Sequence, residues 1–291
     1  MNPDAGRLGR VLLRVYFIAF IVFLFSPLVV LLVFSVNSSP IATLPINGLT
    51  TKWFHQAFSN GELTSALVRS AVIGAVAAVV ATALGIMASI GLSAGRMRLR
   101  TLAVSVLMLP LVVPYISLAV GLLILMQAIG VGTSLTAVVM GHAVIALPFA
   151  ILVILPRLRS LDPSLGEAAR DLGASEFGAF RLVTLPLLTP SLVSSFLICF
   201  TTSFDEFAIA SFLAPAGSPT YPVFLYGSSR TPALLPEVIA VGTLVIALSL
   251  LIVVLAEGGR RWGERRLEGR SSAEPVVASP LVATAAAAET S

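Results

Sequence analysis

Six stretches of about twenty apolar residues, each long enough to cross a bilayer as a helix, govern what this chain can fold into. They run over residues 15–36, 70–92, 101–126, 135–155, 191–213 and 238–256. A hydrocarbon layer about 30 Å thick takes roughly 20 residues of helix, because every backbone N–H and C=O inside it must find a partner within the protein. Five of the six stretches contain no Asp, Glu, Lys or Arg, and the fifth holds two acids, Asp205 and Glu206. Only 11% of the residues are charged, against roughly 25% in soluble domains, so a core wrapped in a water-facing surface is excluded. The expected class is an all-α, polytopic membrane protein with six transmembrane helices. The first stretch is too long for a signal-peptide core and no small-residue cleavage site follows it, so it reads as an uncleaved anchor.

The basic residues orient these spans. Fifteen of the 18 Lys and Arg residues fall before the first span (Arg7, Arg10, Arg14), between the second and third (Arg96, Arg98, Arg100), between the fourth and fifth (Arg157, Arg159, Arg170, Arg181), or after the sixth (Arg260, Arg261, Arg265, Arg266, Arg270). Lys52, Arg69 and Arg230 remain for the opposite side. Positive residues stay in the cytoplasm, so both termini are expected there. The organisation expected is a cytoplasmic N-terminus over 1–14, a six-span domain over 15–256 that includes a long cytoplasmic loop at 156–190, and a cytoplasmic tail over 257–291. Beyond about residue 270 the tail is rich in Ala, Ser, Thr, Pro and Val and has no helical periodicity, so it is expected to be disordered. On the outer side, Trp53, Phe54 and Phe58 suit one short interfacial helix, and residues 127–134 form a tight turn around Gly130 and Gly132.

Several chemistries are excluded by the residues present. The single cysteine, Cys199, rules out an internal disulfide framework and a cysteine-rich metal site, and the two histidines, His55 and His142, have no ligand-like spacing. The only lysine, Lys52, lies in Thr-Thr-Lys-Trp-Phe and in no phosphate-binding loop. If ATP is used here, another chain hydrolyses it. The net charge of +4 lies between the apolar stretches, where it reports topology rather than a nucleic-acid partner.

The loop at 156–190 is patterned as helix, break, helix. Asp162 suits an N-cap with Pro163 at the first helical position, and Ser164 with Glu167 offers a competing capping box. Leu165, Ala168, Ala169 and Leu172 form one small-residue stripe. Gly173 is placed to end the helix, Ser175 to cap a second one presenting Phe177 and Phe180, and Leu185-Pro186 to stop it at the membrane. Small or aromatic apolar residues on one face and charges on another describe a docking surface.

Glu167-Ala168-Ala169, three residues, Gly173, nine residues, Val183, one residue and Leu185-Pro186 resembles the EAA loop of ABC-importer permeases. Val183 stands where that motif more often has Ile. The resemblance extends over residues 10–268 and is similar above all to the spermidine/putrescine-type permeases, through Ser203-Phe-Asp205-Glu206-Phe207, Tyr221-Pro-Val to Tyr226-Gly-Ser, and Pro236-Glu237. Those permeases commonly show two aspartates where this chain has Asp205 and Glu206. The resemblance implies the importer-permease fold and alternating access driven by ATP. It also implies Glu167, Ala168, Ala169, Gly173, Leu185 and Pro186 as the ATPase-coupling residues. The implied partners are a second, different permease, two ATPase subunits and an extracytoplasmic binding protein; opine, iron and amino-acid permeases share parts of the pattern.

Asp205 continues a polar stripe with Ser194, Ser195, Thr201 and Thr202 on one helical face, roughly 12 Å below the outer end of an unbroken span at 1.5 Å per residue. Membrane-embedded acids usually face a bundle interior or a water-filled path. Asp205 fits either of two roles: lining a cation route, with Thr201, Thr202, Glu206 and the rings of Phe204 and Phe207, or a structural one, hydrogen-bonding backbone at a helix break or holding the partner permease. Glu206 points about 100° away. Glu237 suits the first turn of the sixth helix. Pro110, Pro114 and Pro148 kink their helices and either shape a gate with Tyr115 or only adjust packing. His142 reads as a packing residue, Cys199 as a small buried apolar one, and Gly121, Gly141 and Gly242 as points of close helix approach. Two other classes compete: an ion-coupled secondary transporter using Asp205, which leaves the EAA loop unexplained, and a membrane-embedded enzyme, for which the spans offer no nucleophile with a base.

Overall fold

The computed structural model of the chain describes residues 3–41, 45, 46, 48–93, 100–231, 233–248 and 250. Arg96, Arg98, the end of the sixth stretch, the basic cluster after it and the tail lie outside the described residues. Twelve helices are described: α1 (Pro3–Ser35), α2 (Lys52–Ser59), α3 (Gly61–Ser93), α4 (Arg100–Val112), α5 (Tyr115–Ala128), α6 (Leu135–Ser160), α7 (Pro163–Asp171), α8 (Glu176–Ala179), α9 (Leu185–Phe204), α10 (Ala208–Leu213), α11 (Tyr221–Ser228) and α12 (Leu235–Leu248). Among the described residues four helical runs are long and apolar enough to cross a membrane, and α4 with α5 makes a fifth if the bent pair counts as one span.

The chain divides into two units, Met1–Ser35 with Ile239–Ser291, and Val36–Val238. In the first, α1 carries no charged residue beyond Arg14, and the Thr243 hydroxyl donates to the Leu31 carbonyl at 3.4 Å. The second unit is built on α3, α6 and α9, which pack pairwise against one another. Its core is made of small residues. Ala78 and Ala81 of α3 meet Ala146, Ala150 and Ile154 of α6 and Cys199 of α9, whose thiol faces the Ala146 carbonyl at 3.4 Å. A Cβ on Gly85 would stand 2.5 Å from that of Ala150, so the two backbones touch there. Hydrocarbon on the outside supplies no hydrophobic drive to bring helices together, and close contact of small residues takes that role. Of the glycines expected at such contacts, Gly141 is one, since a Cβ there would come 2.6 Å from Ile209; Gly121 and Gly242 have nothing near them. A second core joins Ile73, Leu122, Met126, Val138 and Ile145 to Ile209 and Leu213 of α10.

Two stretches expected to be single helices are broken. Residues 101–126 form α4 and α5, bent by 107°. Pro114 lacks an N–H and forces Val113 out of helical geometry, so the chain turns there, while Pro110 and Pro148 are carried inside α4 and α6. Residues 191–213 divide into α9 and α10 around Asp205–Phe207, so Asp205 does not sit at the depth an unbroken helix implies. Conversely, Leu185-Pro186 does not stop a helix. The chain stays helical from Glu176 to Phe204 through a π turn at Phe180–Thr184, where the Leu185 N–H reaches back to the Phe180 carbonyl and Pro186 falls in the first turn that follows. On the other side of the second unit, α2 forms as expected, but Trp53 is buried and donates its indole N–H to the Asn37 carbonyl at 2.7 Å, leaving Phe58 exposed. Asn60 caps α3 and donates to Glu237, in the first turn of α12, at 2.9 Å.

Gly85→Val tests the close approach of α3 and α6. The added methyls have no space against Ala150, and overpacking of this kind costs about 1–3 kcal/mol. The thermal midpoint of the detergent-solubilised protein is expected to fall, and Ala150→Gly on that background is expected to recover part of the loss. An unchanged midpoint in Gly85→Val would refute the contact.

Candidate functional site

The loop at 156–190 folds through local capping. Asp162 accepts from the Ser164 amide at 2.9 Å at the start of α7, and this bond holds its carboxyl below the ordinary carboxylate range. Asp162, rather than Ser164, is the cap. At the other end Gly173 takes φ +91°, the left-handed conformation that closes a helix. The amides of Leu172, Gly173 and Ala174 then bond the carbonyls of Ala168, Arg170 and Ala169 at 2.8–3.1 Å. Ser175 caps α8 by accepting from Gly178. Glu167 and Ala168 are exposed and Ala169 is half-buried. Leu172 (90% exposed), Phe177 (70%) and Leu182 (72%) turn large apolar side chains outward in a segment that otherwise carries mixed charge. Arg170 and Glu176 approach to 3.9 Å, an exposed pair of little energetic weight. Val183, with Leu165 and Leu187, lines a recess of about 350 Å³ beside Asp162; Leu185 is half-buried and Pro186 exposed.

The second candidate site is the α9–α10 break. Asp205 ends α9 with its side chain exposed and, among the described residues, without a hydrogen-bond partner. Glu206 is buried, and its carboxylate accepts from the Ile209 amide at 2.9 Å and the Ala210 amide at 3.0 Å. The same carboxylate lies 3.3 Å from Nε2 of buried His142. Adjacent acids thus face opposite environments, and Glu206 does not present its charge to open space. Phe204 stands between Phe200 (5.8 Å between ring centres) and Tyr221 (6.0 Å), and Phe207 lies 4.9 Å from Tyr226. The Tyr226 ring in turn carries the Arg230 guanidinium at 5.0 Å.

The expected polar stripe is divided. Ser194 and Thr201 share the exposed side with Asp205, Thr202 is half-buried, and Ser195 is buried within 3.4 Å of Thr82 on α3. Tyr115, at the start of α5, packs against the core that holds Ile209 and Leu213. Sequence reasoning missed the join between His142 and this break. Ser203 and Glu206 are one helical turn apart, which was visible, but their partner lies on another helix.

Residues 81–269 match the family model described as the inner membrane component of binding-protein-dependent transport systems. The chain belongs to this family. The spermidine/putrescine transport system permease protein PotC of Escherichia coli K12 is 30% identical over 250 residues, covering 86% of this chain and 94% of its own. The putrescine transport system permease protein PotI of the same strain is 33% identical over 231 residues, covering 77% and 82%. Among solved structures, a bacterial ABC transporter that imports the acidic polysaccharide alginate aligns with a TM-score of 0.68 at 16% identity, over 89% of this chain and 98% of that one. The MetNI methionine ABC transporter in inward-facing form aligns at 0.55 and 19% identity, over 68% and 93%. At those identities the structures establish the fold alone.

This family member is an ABC-importer permease subunit, a multi-pass membrane protein rather than an enzyme. Its two candidate regions lie at opposite ends of one continuous helical run: α8, the π turn and α9 connect the 156–190 loop to the break at Asp205.

Gly173→Ala probes the loop. A Cβ in the left-handed region costs about 1–2 kcal/mol. The amides of Leu172, Gly173 and Ala174 are expected to exchange faster with deuterium, with Gly173→Asn closer to wild type. Equal protection in Gly173→Ala would show that the turn is not held in this conformation.

Proposed function

We propose that this chain is one of two permeases of an ATP-driven polyamine importer and that Asp205 faces the route of the cationic solute. The observation that carries the reading is the exposed carboxylate of Asp205, without a hydrogen-bond partner among the described residues, at a helix break within an apolar stretch. An acid in that position costs roughly 2.5–3.5 kcal/mol on insertion scales, so it persists where water or a cationic partner meets it. Similarity to permeases named for spermidine and putrescine supports a polycation as that partner. Thr201 and Ser194 continue the exposed side, and the rings of Phe204 and Phe207 offer faces on which an ammonium group is favoured. Thr202 borders that side; Glu206 and Tyr115 take no part in it.

In this proposal six spans cross the membrane with both termini in the cytoplasm, as the basic residues dictate. The domains follow the sequence boundaries, with the 156–190 loop inside and the 257–291 tail beyond the last span. Glu167, Ala168, Ala169 and Gly173 form the docking face for an ATPase, with Leu172 and Phe177 as its apolar contacts and Leu185 and Pro186 at the base of α9. The two ATPases hold ATP and Mg²⁺, a different permease supplies the other half of the route, and an extracytoplasmic binding protein delivers the solute. Closure of the ATPases moves the loop, and the continuous helix that follows carries the movement toward Asp205.

Two experiments test the reading in membranes that hold every subunit. Glu167→Lys puts like charge into a docking face and is expected to abolish ATP-coupled uptake while insertion persists; normal uptake with normal ATPase retention would refute the docking assignment. Asp205→Asn keeps shape and hydrogen-bonding capacity but removes the charge. Polyamine uptake is expected to fall about tenfold, as loss of a charge-assisted contact does, with unchanged yield of the complex. Wild-type uptake in Asp205→Asn would remove the residue from the route, and failed assembly in Asp205→Ala with normal uptake in Asp205→Asn would make its role structural.

A further inference from the structure

The break between α9 and α10 is held from α6. Three residues fall outside the helices between Phe204 and Ala208, so the first amides of α10 lack helical partners. Glu206 supplies two of them through Ile209 and Ala210. On the near side of the break the Ser203 hydroxyl lies 2.7 Å from Nδ1 of His142, while Nε2 of the same ring faces Glu206 at 3.3 Å. Ser203 is 2% exposed, His142 1% and Glu206 5%. Gly141, the neighbour of His142, leaves the space that Ile209 fills. One turn of α6 therefore touches the residue before the break, the acid within it and the helix after it.

The hydrogen bonds distinguish Ser203 from most other hydroxyls of α9. Thr189, Ser191, Ser194 and Thr201 each bond a carbonyl of their own helix, at 2.8–3.1 Å. Ser203 bonds the imidazole instead. A carboxylate only accepts, so the Nε2 that faces Glu206 carries the proton and Nδ1 takes the hydroxyl hydrogen of Ser203. That pattern gives Nδ1 a hydrogen bond from Ser203 and leaves Nε2 facing the Glu206 carboxylate at 3.3 Å, an approach of opposite polarity without hydrogen-bond alignment.

We propose that His142, Ser203 and Glu206 are positioning residues that hold the break in this form and so keep Asp205 turned to the exposed side. The proposal rests on the reading of Asp205 as facing the solute route. In an unbroken helix residues 205 and 206 lie about 100° apart on one rigid cylinder, and neither acid can be moved without the other. The break frees them: Glu206 turns inward onto His142 and the α10 amides, and Asp205 turns outward, with no partner among the described residues. Without the imidazole, Glu206 keeps its amides but loses its tether to α6, and Ser203 is free to bond its own helix. The orientation of Asp205 is then no longer fixed.

The test uses the assembled complex and two readouts. Deuterium exchange at Ile209 and Ala210 is expected to quicken in His142→Leu, and less so in Ser203→Ala, which serves as the variant if His142→Leu does not assemble. Unchanged exchange in both would overturn the clamp. Spermidine uptake is measured in Ser203→Ala or His142→Leu, in Asp205→Asn and in the pair. If the clamp acts through Asp205, KM rises in each single variant by about tenfold, and the double variant is no worse than Asp205→Asn. Multiplying effects would overturn the positioning role, because the clamp would then act elsewhere. Wild-type uptake in Asp205→Asn would instead overturn the reading of Asp205, leaving the exchange rates to decide the clamp on their own.

Discussion

Inside hydrocarbon a backbone amide or carbonyl without a partner costs several kcal/mol, and that constraint decides where this chain can bend. Regular helix satisfies it by default, so each departure needs a local substitute. At Gly173, outside the apolar stretches, the substitute is a left-handed turn that returns three amides to the carbonyls of α7. At Phe180–Thr184 it is a shift to π hydrogen bonding, which keeps the helix continuous into Pro186. At Asp205–Phe207 no backbone solution remains for the first amides of α10, and the carboxylate of Glu206 takes them. The break is thus as much a property of Glu206 as of the backbone around it.

Helix association obeys a second constraint. Lipid outside is as apolar as the residues inside, so α3, α6 and α9 gain from dense contact of small side chains rather than from expulsion of water. Gly85 against Ala150, Gly74, where a Cβ would stand 3.2 Å from the Phe200 ring, and Gly141 against Ile209 mark where that contact is tightest. The last of these has a second consequence, because the close approach at Gly141 brings His142 to Glu206 and Ser203. Packing and the polar set at the break therefore have a common origin on one turn of α6.

Much of the fold and of the loop was legible in the residues. Asp162, Gly173 and Ser175 act where their turn chemistry assigns them, since capping is local and depends on a few neighbouring atoms. The apolar stretches were equally plain, but their continuity was not. Pro110, Pro114 and Pro148 carry the same backbone defect, and only Pro114 coincides with a 107° bend, because neighbouring packing decides whether a lost hydrogen bond is tolerated. The site was half legible. Asp205 stood out as an acid in an apolar stretch, whereas Glu206 beside it has a different environment. Its partner His142 is 64 positions away, and Ser203 meets that histidine across 61. No periodicity within either helix encodes such a meeting; it depends on the register of α6 against α9.

The same register bears on the proposed coupling. A continuous helix from Glu176 to Phe204 transmits displacement only as far as it stays rigid, and it ends one residue past Ser203, which His142 holds. Movement of the loop would therefore arrive at Ser203 against a fixed point on α6, with Asp205 two residues beyond it. A helix that ran unbroken to Leu213 would carry both acids along together. A break without the buried set would absorb the movement in loose backbone. With Glu206 anchored to α10 and tethered to α6, displacement of α9 changes chiefly the orientation of the residues between two anchored points, and Asp205 is the charged one that faces outward. This is a physical reason for an importer permease to keep two adjacent acids, one fixed and one free, where a single acid would suffice for charge alone.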